Sequence, residues 1–240
     1  MKPFLVDVPV LILFFNRPQQ LSQVFEQVRN ARPSKLFLYQ DGPRSEHDLP
    51  GIKACREVTD QIDWDCEVHR MYQEKNYGCD PSEYISQKWA FSMVDKCIVL
   101  EDDDVPSVSF FTFCKEMLDK YEQDTRITMI AGFNNEEITP DVPYDYFFTS
   151  TFSIWGWASW KRVIDQWDEH YTFLEDKFNM QQLEQLIKER KFRKDFIYMC
   201  HRHKENNKAY YETIFHASML FNSGLAIVPT RNMINNLGVT

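Results

Sequence analysis

The chain has 240 residues and a formal net charge of −9, from 36 Asp and Glu against 27 Lys and Arg. That length fits one large α/β domain or two small ones, a hydrophobic content of 43% argues against disorder along the whole chain, and the acidic balance argues against non-specific nucleic-acid binding. Only 7 glycines occur, and neither GxGxxG nor GxxxxGK[ST] is present, which argues against Rossmann dinucleotide binding and P-loop NTPases.

Met1 to Phe15 is apolar but interrupted by Pro3, Asp7 and Pro9. It is too short and broken for a membrane span and lacks a small-residue cleavage site, so it reads as the lead-in to a buried strand, Val10 to Phe15. Asn16-Arg17-Pro18 ends the strand, and Pro18 suits a first helical turn. Leu21, Val24, Phe25 and Val28 then follow at one-face helical spacing. Lys35 to Gln40 is a second strand, closed by the turn signature Asp41-Gly42-Pro43. A helix over Ile52 to Ile62 and an alternating strand, Cys66 to Tyr72, come next. Asn76-Tyr77-Gly78 is a loop, and Asp80-Pro81-Ser82-Glu83 fits a capping box that opens a helix to about Val94.

Lys96 to Leu100 is a fourth strand, and it runs into four consecutive acids, Glu101-Asp102-Asp103-Asp104. Four acids at the end of a buried strand repel one another, and a strand end is where an open α/β sheet places its ligand crevice. Hard oxygen ligands suit Mg²⁺ or Mn²⁺ better than Zn²⁺; a solvated acidic turn before the next helix is the alternative. Strand alternation would put residues 101 and 103 on one side and 102 and 104 on the other.

A helix over Ser107 to Tyr121 and a strand over Ile127 to Ala131 follow. Residues 134–144 form a polar loop, and Tyr146 to Phe152 is a strand. Ile154-Trp155-Gly156-Trp157-Ala158-Ser159-Trp160 is an aromatic loop, and helices are expected over 158–168, 180–205 and 210–221. A short strand, Leu225 to Val228, precedes Pro229. Strand–helix alternation with short connections implies a mainly parallel sheet covered on both faces. The six cysteines form no CxxC pair and read as reduced thiols of a cytosolic protein. Cys200-His201-Arg202-His203 is a lone cluster with no second half, too weak for a metal site. From Lys188 to Lys208, eight Lys and Arg stand against Glu189, Asp195 and Glu205, either a solvated helix face or a patch for an anionic acceptor or membrane surface.

The motifs in order resemble GT-A-fold glycosyltransferases: strand–Asn16-Arg17-Pro18, Asp41-Gly42, Val99-Leu100-Glu101-Asp102-Asp103, Trp155-Gly156-Trp157, and a closing Pro229-x-x-Asn232-x-x-x-Asn236-x-Gly238. Within that fold the chain is similar to the N-acetylglucosaminyltransferase I type and to bacterial sugar-nucleotide transferases, some labelled hemolysin-related. The likeness spans about Val10 to Gly238. It implies one GT-A (Rossmann-like) domain with a mainly parallel central sheet flanked by helices and a helical C-terminal acceptor-side portion. Residues 1–131 would form the nucleotide-binding half and 132–240 the acceptor and catalytic half.

The resemblance makes Glu101-Asp102-Asp103 the DxD equivalent. Asp103 would bind Mn²⁺ or Mg²⁺, with Asp104 a competing ligand because Asp102-x-Asp104 is a literal DxD. The implied nucleotide-sugar set is Asn16, Arg17, Asp41, Asn76, Gly78, Asp102, Trp155, Gly156 and Trp157; Arg17 and Asp41 would hold the base, and Asp41 would accept the uracil imide N–H. Glu212 matches the catalytic base, where the family has Asp; the added methylene displaces the carboxylate by roughly 1 Å. A helix-terminal Glu favoured by the dipole is the alternative. The partners implied are a UDP-sugar, UDP-N-acetylglucosamine by likeness, and a bacterial glycan acceptor, and the location is cytoplasmic, with contact at the inner membrane face through 188–208. Relatives continue past Asn-x-Gly with a loop carrying a His near the metal; here that loop is absent or truncated at Thr240. A non-catalytic nucleotide-sugar-binding protein and a sugar nucleotidylyltransferase are the alternatives. The latter needs a Gly-rich basic loop where this chain has Asn16-Arg17-Pro18.

Overall fold

The computed structural model describes residues 1–238; Val239 and Thr240, where a further loop would start, lie outside the described residues. The first half is a regular α/β alternation: β1 (Val10–Phe14), α1 (Pro18–Ala31), β2 (Lys35–Gln40), α2 (Leu49–Thr59), β3 (Glu67–Tyr72), α3 (Cys79–Met93) and β4 (Lys96–Glu101). Every residue of β1 is buried, as expected for a strand covered on both faces. α1 starts at Pro18 and buries Leu21, Val24, Phe25 and Val28, the stripe its spacing predicts.

After β4 come β5 (Asp104–Pro106), α4 (Val108–Lys120), β6 (Ile127–Ala131), β7 (Tyr146–Thr149), β8 (Trp157–Trp160), α5 (Lys161–Ile164), α6 (Lys177–Leu186), α7 (Arg190–Glu205), α8 (Tyr211–Phe221), β9 (Leu225–Pro229) and β10 (Ile234–Asn236). Eight strands form one sheet in the order β3-β2-β1-β4-β8-β6-β9-β7. β3, β2, β1 and β4 are parallel neighbours, and β6 pairs in parallel with β9. β8 runs antiparallel between β4 and β6, and β7 runs antiparallel on the far edge. The chain walks from β1 out to β3 and returns to the other side of β1 as β4. The strand order therefore reverses between β1 and β4, where a crevice opens at the carboxyl ends. One continuous apolar core runs through both parts of the sheet.

Several elements depart from the sequence-based expectation. The Trp-rich loop and the helix expected from 158 are instead largely β8: Trp157, Ala158, Ser159 and Trp160 are all buried, and Ser159 Oγ donates to the Thr128 carbonyl at 2.6 Å. The expected helix over 180–205 is two helices, because Glu189 leaves the helix and accepts from the Lys191 amide (2.9 Å) and the Phe192 amide to start α7. The capping box at Asp80–Glu83 does not form. Gly78, at φ +88°, precedes α3 with no side-chain cap, and Glu83 turns inward. β5 and β10 were not expected from pattern; they pair antiparallel, Asn236 opposite Asp104. Among the described residues, no helix is long and apolar enough to cross a membrane.

Gly156 sits at φ +62°, and a Cβ there would stand 2.5 Å from Ile234 Cδ1 on β10. Gly156→Ala is expected to lower stability by about 1–2 kcal/mol, the cost of a left-handed conformation for an L-residue, read as a lower urea midpoint with an unchanged slope.

Candidate active site at the switch point

The crevice between β1 and β4 is a cleft of about 430 Å³, a size usual for small-molecule sites. Asn16, Arg17, Asp41, Asn76, Gly78 and Asp102 all line it. They come from the ends of β1, β2 and β4 and from the loop before α3, segments far apart in sequence. Phe15, Tyr39, Arg44 and Glu101 line the cleft as well. Arg44 was missed because the Asp-Gly-Pro turn before it reads only as a chain reversal. Its guanidinium lies 4.9 Å from the centroid of the Phe15 ring. It is held by Asp48, whose Oδ1 also accepts from Asn16 Nδ2 at 2.7 Å. Arg44 and its hydrogen bonds hold the Asp48 carboxyl down at about 2.

The position of Asp41 is as expected, but its role differs. Oδ1 accepts from the Gly42 and Tyr77 amides at 2.9 Å each, and Oδ2 accepts from Asn76 Nδ2 at 2.8 Å and the Gly78 amide at 3.0 Å. A carboxylate offers about four acceptor sites, and all are engaged. Asp41 therefore fastens the 76–78 loop to the end of β2 and has no site left for a uracil imide.

The four acids do not alternate as a strand. β4 ends at Glu101, residues 102 and 103 form a turn, and Asp104 opens β5. Asp102 and Asp103 consequently face the same cation. Arg17 Nη2 donates to Asp102 Oδ1, and Nη1 lies 2.8 Å from Asp103 Oδ2. The Phe15 amide reaches Asp102 Oδ2 at 3.2 Å. Burial pushes the Asp102 carboxyl up while Arg17 pulls it back; for Arg17 itself, burial is outweighed by the two acids, which hold it charged.

Asp104 is tied elsewhere. Oδ2 accepts from the Gly156 amide at 2.9 Å and Oδ1 from Asn236 Nδ2 at 2.9 Å. With both oxygens engaged and no surface exposed, Asp104 is not available as a metal ligand. It pins the β10 segment and the loop before β8 to the acid turn. Burial pushes its carboxyl up to about 7, against Asn236 and with Asp103 adding to the rise. Asp103 differs: its Oδ1 is buried with no partner, and its Oδ2 packs so closely against Gly238 that a Cβ there would clash with it. An orphaned hard oxygen on a carboxylate is a donor type that fits a divalent cation.

Glu212 lies in the first turn of α8 and lines a second cavity of about 490 Å³ with Phe152, Trp155, Phe192, Phe196 and His216. Burial, then Asp80, pushes its carboxyl up. Asp80, Glu83 and Glu212 place carboxylate oxygens within 4.8 Å of one another. The three members of the aromatic motif separate. Trp155 borders the second cavity, its ring edge-on to Phe133 at 4.7 Å. Gly156 is buried behind Asp104. Trp157 is 1% exposed and stacked between Phe91 and Tyr211. Neither Gly156 nor Trp157 is placed to touch a sugar.

Compared with known proteins, the chain matches no family model and no curated protein at a significant level.

Removing Arg17 would leave Asp102 and Asp103 without their counter-charge. Arg17→Ala is expected to cost about 1.5–3 kcal/mol, the range for hydrogen bonds to charged groups, reduced from that of a fully buried pair because the guanidinium is partly exposed. Arg17→Lys should recover part of it. Urea unfolding of the three proteins checks this.

Proposed function

We propose that this protein is a metal-dependent GT-A glycosyltransferase that moves a sugar from a UDP-sugar to a glycan acceptor with inversion at the anomeric carbon. The observation that carries the reading is convergence. Six residues implied by the GT-A resemblance meet in one cleft at the strand-order reversal, and the implied base, Glu212, lines a second cavity and lies within 4.8 Å of Asp80 and Glu83 on α3, the helix whose Cys79 and Ser82 line the cleft. The charge balance would call for a bound cation. A diphosphate donor is anionic, and the rim that would receive it is acidic, with Arg17 already paired to Asp102 and Asp103.

Asp103 would hold the cation through its unpartnered Oδ1, with Asp102 beside it on the ribose or sugar side. When bound, Mn²⁺ or Mg²⁺ supplies stabilisation of the negative charge that develops as the nucleoside diphosphate leaves. The Arg44–Phe15 stack and the loop clamped by Asp41 give the base a flat platform and a fixed wall. Glu212 takes the proton of an acceptor hydroxyl while that oxygen bonds to the anomeric carbon; the bond from that carbon to the diphosphate oxygen breaks, and its electron pair leaves with UDP. A carboxyl raised from its ordinary value is a stronger base near neutral pH. Trp155, Phe152 and Phe192 offer apolar ring faces to an acceptor sugar. Away from that cavity, α7 exposes Lys191, Lys194, Tyr198 and Arg202 alongside a single acid in that stretch, Asp195, a basic composition suited to an anionic bilayer surface.

UDP release from a panel of UDP-sugars, with an acceptor extract and Mn²⁺, tests the reaction. Glu212→Gln is expected to lower turnover about 10²–10⁴-fold, the usual share of general-base catalysis, with UDP affinity unchanged. Full turnover in that variant would remove Glu212 from the chemistry. UDP-sugar binding without turnover under any condition would favour the non-catalytic binding protein. For α7, sedimentation with phosphatidylglycerol vesicles should be strong at low salt, weak at high salt, and weakened by Lys191→Glu with Lys194→Glu.

A further inference from the structure

Glu83 is an acid in an unusual position. It sits in α3 with 3% of its surface exposed. Its Oε1 accepts from the Cys79 thiol at 3.3 Å, and no donor group reaches its Oε2. The groups that act on it most strongly after burial are Glu212, Cys79, Asp80 and Asp104, with no Lys or Arg among them. Glu101 on β4 and Tyr211 on α8 add further acidic groups on the facing elements. The histidine on that side, His203 of α7, is pushed down by burial, against the pull of Asp80, and its Nδ1 is bonded to Thr213 Oγ1 at 2.9 Å. A buried carboxylate with no cation must be neutralised, either by a proton or by a metal ion. Ca²⁺ takes six to eight oxygens and Mg²⁺ a full octahedron. Three carboxylates come together here, and an ion on them would bring its own waters, whereas Glu83 Oε2 is closed off from solvent. A proton needs only one acceptor.

We propose that Glu83 is a positioning residue for Glu212: the two carboxyl groups hold one proton between them, Glu83 keeps it, and its O–H orients Glu212 as the free carboxylate facing the acceptor cavity. Carboxylate oxygens within 4.8 Å of one another do not both ionise freely, and Glu101 on β4, raised by burial and then by Glu83, is linked to the same titration. The deeper member keeps the proton; burial and Glu212 push Glu83 up to about 8. The acceptor proton then passes to Glu212 and on to solvent through the open cavity, leaving Glu83 unchanged. This inference rests on the reading of Glu212 as the base, so its test includes readouts that need no turnover.

Infrared difference spectra between pH 6 and pH 9.5 should show a protonated-carboxyl band, one component of which disappears in Glu83→Gln. Folding takes up that proton, so wild-type stability should fall as pH rises from about 5 to about 8, and the slope should flatten in Glu83→Gln. In the pH–rate profile, Glu83→Gln should keep the acid limb, because the amide still donates. Glu83→Leu, which removes the donor, should move that limb to higher pH. An unchanged band and slope in Glu83→Gln would overturn the proposal. So would calorimetric Ca²⁺ binding to Asp103→Asn that Glu83→Gln abolishes, since a cation would then occupy the cluster. If the band and slope behave as expected but Glu212→Gln turns over normally, the pair stands and the base assignment falls.

Discussion

Where β4 ends, Asp102, Asp103 and Asp104 are folded out of water, and one guanidinium, that of Arg17, stands against the first two. Burying a carboxylate is costly unless hydrogen bonds or opposite charge accompany it. Much of the surrounding architecture supplies such groups. The β1 end contributes the Phe15 amide and Arg17, the turn before β8 contributes the Gly156 amide, and β10 contributes Asn236. Asp103 keeps one oxygen outside this network. The Tyr39 and Ser82 hydroxyls on the cleft wall are unpartnered as well, so several polar atoms around the switch point are left for an external partner.

The same constraint explains how the C-terminal segment is placed. Asn236 reaches Asp104 across 132 positions of sequence. Further bonds run from the Leu237 amide to the Asp103 carbonyl at 2.8 Å and from the Ser107 amide to the Met233 carbonyl at 2.8 Å. The last described strand thus forms a wall of the acid turn, so the geometry around Asp103 depends on residues at both ends of the chain. Gly156 is required in this arrangement because its positive φ aims an amide at Asp104 while leaving room for Ile234.

Much of the first half was legible from pattern. β2 and β6 fall at the expected residues, and β1, β4 and α1 come within a residue or two, because buried parallel strands and amphipathic helices write themselves as runs and stripes. The donor-side residues were legible too, as polar groups following strand ends. What was not legible depends on partners distant in sequence. β5 and β10 are too short to show a period and exist by pairing with each other. β8 was hidden because Trp-Gly-Trp reads equally as a loop or a buried strand. Asp41 looked like a binding group since nothing local reveals four donors arriving from residues 42 and 76–78. Glu83 matched a capping box, and only the tertiary structure turns it inward toward Glu212.

The most direct test of the central claim is calorimetric titration of UDP into the protein in Mn²⁺ and in EDTA, for wild type and Asp103→Asn. The account predicts binding in Mn²⁺ that is lost both in EDTA and in the variant. UDP binding that survives EDTA and the substitution would contradict it, because Asp103 would then have no cation to hold.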